Sequence, residues 1–255
     1  MHARFLLAGL PLLSVACALP SLEVQGRYAS LEIDGKVNVS GGGIGAGADL
    51  EQAGLDDDQS LGGRLDFEFG SPHLIVLAQA PRFEGTGTLD VTLDDGTNTI
   101  AAGSAVSSKI DLEMYDAALV FDLVPGDMVE VALGFGAAWI DMAVLFEEVG
   151  TGTTVASAEA FPLPLLALSA AVWIGPVEVG AFAGGMQYEL DDDELSYFDL
   201  DVFARWKFFG LTGLRGSLIG GYRMTQVDVE YDDDATVIDN DLTIAGPFFG
   251  LALAL

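Results

Sequence analysis

Between Ser196 and Phe209 the chain reads SYFDLDVFARWKFF, and every second side chain is apolar: Phe198, Leu200, Val202, Ala204, Trp206 and Phe208. The intervening residues, Tyr197, Asp199, Asp201, Phe203, Arg205 and Lys207, carry charge of both signs. Successive side chains of a β-strand point to opposite faces, so this spacing makes one greasy face and one ionic face. A helix would scatter the same residues round its circumference. The stretch is longer than the roughly 9–11 residues that a tilted strand needs to cross a bilayer. It predicts a strand with lipid on one side and an ionic interior on the other.

Similar alternation recurs along the chain. Strand candidates are 27–39, 60–70, 74–93 with a break at Pro81, 97–124, 128–146, 156–174, 177–188, 196–209, 214–231 and 241–255. Within 97–124 the apolar phase slips near Tyr115–Ala117, which reads as a β-bulge, and within 214–231 it slips again near Met224–Val227. The run 161–174 is the most apolar, but it is too short for a membrane helix and carries Pro162 and Pro164, so it is read as a strand with prolines at its entrance. Asp94-Asp95-Gly96 is a hairpin signal on strands longer than a bilayer requires, so its tip is expected in water.

Connections at 70–73, 124–127, 174–177 and 209–213 are tight, whereas those near 40–59, 147–155, 189–195 and 232–240 are longer and acidic. Short turns at one end, long excursions at the other and an even strand count are the asymmetry of bacterial outer-membrane barrels. The last strand ends Phe248-Phe-Gly-Leu-Ala-Leu-Ala-Leu255 and is similar to their C-terminal assembly signal, with Leu where an aromatic is usual. Residues 27–255 thus resemble the small outer-membrane β-barrel superfamily in general. The expected fold is all-β, a closed antiparallel up-and-down barrel of about ten strands. Both ends would lie on the periplasmic side.

A formal net charge of −29 coexists with 51% hydrophobic residues. That combination suits a chain whose apolar half faces lipid while its charge sits in loops and lumen. With no basic stripe, nucleic acid is excluded as a partner. The start of the chain reads as an export signal over 1–18: Arg4, an apolar run to Ala16, and a small-residue site at Ala16-Cys17-Ala18. The rival reading is lipidation at Cys17, since Leu13-Ser-Val-Ala-Cys17 resembles a lipobox with Ser14 out of pattern. Residues 19–26 are then a short periplasmic lead. With a single cysteine there is no structural disulfide.

On these strands the polar faces would form a charged lumen network of Glu32, Asp34, Lys36, Arg64, Asp66, Glu68, Lys109, Asp111, Glu113, Asp199, Asp201, Arg205 and Lys207. Unpaired charge there is costly, so salt bridges are expected, either as a plug in a narrow barrel or as the eyelet of a pore. Trp139, Trp173, Trp206, Tyr188, Tyr197, Tyr222 and Tyr231 fall near strand ends and suggest interfacial girdles. The acidic runs Asp191, Asp192, Asp193 and Asp232, Asp233, Asp234 offer oxygen ligands to divalent cations but lack EF-hand spacing. They read as solvated loop tips, and no cofactor is expected.

Catalysis is not expected either. The histidines are His2, in the signal, and His73, in a turn remote from the acidic loops, so neither a Ser-His nor an Asp-His pair can assemble there. The leading reading is an integral outer-membrane barrel, monomeric, structural or a narrow passive pore. Its partners would be membrane lipid and lipopolysaccharide, and the barrel assembly machinery during biogenesis. The alternative is a soluble periplasmic or lipid-anchored barrel holding an apolar ligand inside.

Overall fold

The computed structural model describes residues 20–38, 47–55, 57–124, 128–190, 193–211, 213–233 and 236–255. The export signal, Cys17 and the Gly-rich run 41–45 therefore lie outside the described residues, as do Asp191, Asp192 and Asp234.

Among the described residues fourteen strands form: β1 (Ser21–Asn38), β2 (Gly47–Asp49), β3 (Asp58–Glu68), β4 (Pro72–Gln79), β5 (Arg82–Thr88), β6 (Leu93–Asp94), β7 (Thr99–Ile100), β8 (Ala105–Val124), β9 (Val129–Glu148), β10 (Thr154–Ile174), β11 (Val177–Leu190), β12 (Asp193–Leu211), β13 (Leu214–Asp233) and β14 (Thr236–Ala254). Twelve belong to one antiparallel sheet that β14 closes onto β1. Since β4 and β5 share one stave and β2 only extends the wall beside β1, the barrel has ten staves. The break between β4 and β5 falls at Ala80-Pro81, where a proline cannot donate to the ladder. Closure is complete to the chain end, with Leu255 N–H donating to Leu22 O at 2.9 Å. β1 begins at Ser21, so most of the expected lead is already barrel wall.

At the end carrying the tight turns and the termini, the exterior is apolar. On β9 the outward side chains are Val129, Val131, Leu133, Phe135 and Trp139; on β12 they are Phe198, Leu200, Val202, Trp206 and Phe208. Each band covers about the 9–11 residues of a bilayer crossing. Above it, the same faces become polar: Asp141 and Glu147 follow on β9, Gln226 and Asp228 on β13. The interior changes in the opposite sense. Ile140, Met142, Val144 and Phe146 of β9, Leu31, Ile33 and Val37 of β1, and Ile110 and Leu112 of β8 form a buried apolar core in the upper barrel. Burying each such side chain contributes roughly 1.5–3 kcal/mol.

This exchange accounts for the two phase slips. Pairing of β8 with β9 is unbroken through Tyr115↔Trp139 and Ala117↔Ala137, and that of β13 with β14 through Met224↔Ala245 and Val227↔Leu242. Neither is a bulge; the observed register shifts lie at Asp122/Val124 and Lys207/Phe209, near the tight turns. What slips is the polarity of the two faces, from apolar to polar outside and from ionic to apolar inside.

The hairpin expected to project into water folds back instead. Leu89, Leu93 and Ile100 are buried against the upper core, and β7 lies against β10. Segment 47–55 fills the wall above short β3: Leu50 and Ala53 are fully buried, and Ser108 Oγ donates to Ala53 O at 2.8 Å.

Candidate functional site

Alternation on five staves sends ionic side chains into the lumen at the level of the apolar belt. Arg27 of β1 donates from Nη1 to Asp201 Oδ2 of β12 at 2.9 Å, and Arg64 of β3 reaches the same oxygen at 3.2 Å. Arg64 also holds Asp66 (2.9 Å), and Gln25 takes two more Arg27 donors. A second cluster centres on Arg223, which pairs with Asp199 at 2.9 Å and Asp116 at 2.6 Å. Tyr197 donates to Asp116 at 2.7 Å and Thr225 to Asp199 at 2.7 Å. Asp116, Asp199 and Asp201 are at most 1% exposed. Aromatic rings complete the filling: the Arg27 guanidinium lies 4.3 Å from the Phe248 centroid, and that of Arg64 lies 5.1 Å from Phe203. Phe203 can lie there because its stave neighbour is Gly180, where a Cβ would stand 2.5 Å from the ring.

Towards the tight-turn end the charges continue. Arg205 bonds Glu23 and Glu178. His73, expected as a turn residue, opens β4 facing inward, with Asp122 3.3 Å from Nε2 and Glu130 3.5 Å from Nδ1. The two carboxylates lie beside opposite ring nitrogens, so the imidazole bridges them. Chemically, the arrangement cross-links opposite walls.

Of the residues expected in this network, Arg64, Asp66, Glu68, Asp199, Asp201, Arg205 and Lys207 lie on lumen-facing positions, Glu68 and Lys207 at the mouth. Glu32, Asp34, Lys36, Lys109, Asp111 and Glu113 do not, which corrects the sequence reading: they lie on the outer wall above the belt. There the exterior meets water while the interior is the apolar core, so charge belongs outside. Lys109 pairs with Asp111 at 2.6 Å on that outer wall. The side chains of Asp193, Asp232 and Asp233 lie outside the described ones.

Arg27 and Asp116, both central, were missed. Asp116 was hidden by the supposed bulge; counting parity straight through β8 puts it on the face of Met114 and Asp122. Among the expected girdle residues, Trp139, Trp206 and Tyr222 face outward, whereas Trp173 and Tyr197 point into the lumen.

No family model matches the sequence, and neither does any curated protein. Among solved structures, the chain is similar to the outer membrane protease OmpT of Escherichia coli, with a TM-score of 0.51 and 9% identity over 95% of this chain and 98% of that one. Weaker similarities are to the translocator domain of the autotransporter NalP from Neisseria meningitidis (TM-score 0.40, 11% identity, 91% and 88% covered) and to the outer membrane protein OprG from Pseudomonas aeruginosa (0.32, 10%, 92% and 95%). The fold is that of bacterial outer-membrane β-barrels.

Proposed function

We propose that this chain is an integral barrel of the bacterial outer membrane, with both ends on the periplasmic side, whose bore is plugged at membrane level and whose role is structural. The carrying observation is the pair of ion clusters spanning the lumen, Arg27–Asp201–Arg64 and Asp199–Arg223–Asp116. A hydrated ion would have to displace charges that are already paired, at a cost of several kcal/mol. The apolar belt argues against the soluble alternative, because exposed residues such as Phe135 and Trp206 have no reason to face water. Membrane lipid and lipopolysaccharide are then its surroundings, and a monomer suffices.

The test is single-channel recording of the full-length protein in planar bilayers, after membrane fractionation and heat-modifiable gel migration. Silent insertions are expected. Steady conductance steps from the unaltered protein would overturn the plug.

A further inference from the structure

Above the plug β10 and β11 do not pair with each other. Their ladder runs from Ile174↔Val177 only to Leu166↔Gly185, and among the described residues no β10–β11 pair lies above it. By contrast β9 stays paired with β10 to Thr154↔Glu147, and β12 with β11 to Leu190↔Asp193. The sequence sets this limit. Trp173 N–H donates towards β9, to Met128 O, so odd-numbered residues of β10 aim their backbone at β9 and even-numbered ones at β11. Pro162 and Pro164 therefore face β11 without a donor, just above Leu166.

The side chains agree. Glu159 and Tyr188 stand in the inward-facing phase of β10 and β11, yet both are exposed, Tyr188 by 52%. Behind this opening is a cavity of about 280 Å³ lined by Ile140, Met142, Leu163, Val227 and Leu242 among others. Among the described residues its polar lining is Glu159, at the opening, and Asn240, whose amide oxygen already accepts the Asn38 N–H at 2.6 Å. The volume is near the lower end of the roughly 300–1,000 Å³ of small-molecule pockets. The opening starts at the upper rim of the belt, where outward Leu166 and Phe198 give way to Gln187 and Ser196 on the flanking staves.

We propose that the seam between β10 and β11 is a lateral port through which one alkyl chain of an amphiphile enters the upper chamber, leaving an uncharged or cationic head beside Glu159. The head chemistry follows from the carboxylate at the mouth and the net charge of −29, which repel an anion. The chain comes from the bilayer or from solution; its chemistry is the same. The proposal is independent of the plug, which closes the bore below the chamber.

The full-length protein is reconstituted in phosphatidylcholine vesicles and irradiated with dodecanol carrying a terminal diazirine. Parallel samples receive the trimethylammonium and carboxylate analogues, or phosphatidylcholine with the diazirine on one acyl chain. Peptide mass spectrometry is expected to find adducts on Ile140, Met142, Val227 or Leu242 with dodecanol and the ammonium probe, and few with the carboxylate. Adducts from the lipid-borne probe identify the bilayer as source, and their absence identifies solution. Met142→Trp should lose the chamber adducts and keep those on the belt, and Val227→Phe serves if that variant fails to show heat-modifiable migration. Adducts confined to belt residues such as Leu133 and Phe135 in every sample, or chamber adducts that survive both filled variants, would overturn the port.

Discussion

Arg223 of β13 and Asp116 of β8 stand on opposite staves, five apart either way round the ring of ten, yet their side chains meet at 2.6 Å. One guanidinium and one carboxylate thus span the bore. The wall and its filling cannot be varied separately at this level.

Removing that guanidinium strands two buried carboxylates. Arg223→Ala is expected to cost about 3–5 kcal/mol, because Asp116 and Asp199 keep their burial and lose their cation. Arg223→Met with Asp116→Leu and Asp199→Leu should recover most of it, since no charge remains to desolvate. Urea unfolding midpoints in detergent micelles check both, and equal midpoints for the single variant and the parent would refute the account.

The belt has an upper limit that one strand can reveal. Leu133 and Asp141 both face outward on β9, one within the apolar band and one above it. Leu133→Arg should cost roughly 2–4 kcal/mol and Asp141→Arg less than about 0.5 kcal/mol. The comparison is made by refolding yield and unfolding in lipid vesicles.

Gly180 leaves room for Phe203, whose ring backs the Arg64 guanidinium at 5.1 Å. Gly180→Ala puts a methyl 2.5 Å from that ring, and overpacking of this kind costs about 1–3 kcal/mol. Gly180→Ala with Phe203→Leu should be milder than the single change, and a thermal melt distinguishes them.

The folded-back hairpin carries a pH dependence. The backbone N–H groups of Asn98 and Thr97 hold the Asp95 carboxyl below the usual carboxylate range. A depressed value in the folded state means stability that is present above about pH 4 and is lost as pH falls through the folded value. Amide protection factors over β6 and β7, corrected for the intrinsic pH dependence of exchange, should therefore be unchanged between pH 7 and 5 and should fall in stronger acid. Asp95→Asn should flatten that acid dependence.

The barrel was legible because alternation, tight turns and apolar bands are local properties, and ten staves follow from counting them. The lumen was legible only in part. On β12 the ionic face points inward for most of its length, so Asp199, Asp201 and Arg205 could be placed from their neighbours. On β1 and β8 the charged residues belong to the water-facing wall, and Glu32, Asp34, Lys36, Lys109, Asp111 and Glu113 were assigned to the wrong side. Alternation gives two faces without naming which is inside. Where a stave rises above the apolar belt, the rule linking polarity to side reverses, while the backbone continues in register. Strict parity from Asp122 back to Asp116 would have located the missing carboxylate. Arg27 was missed because it began the first predicted strand, with no pattern before it. The unpaired seam needed pairing partners that only the folded chain supplies.

The reversal of polarity at one level on stave after stave works as a waterline. Sinking the barrel by one residue pair would drag Asp141, Glu113 and Gln226 into oil, and lifting it would strand Trp139 and Phe198 in water. The draught of this hull is therefore written into each plank, and a plank inserted upside down or out of step would be rejected by the solvent on both sides of it.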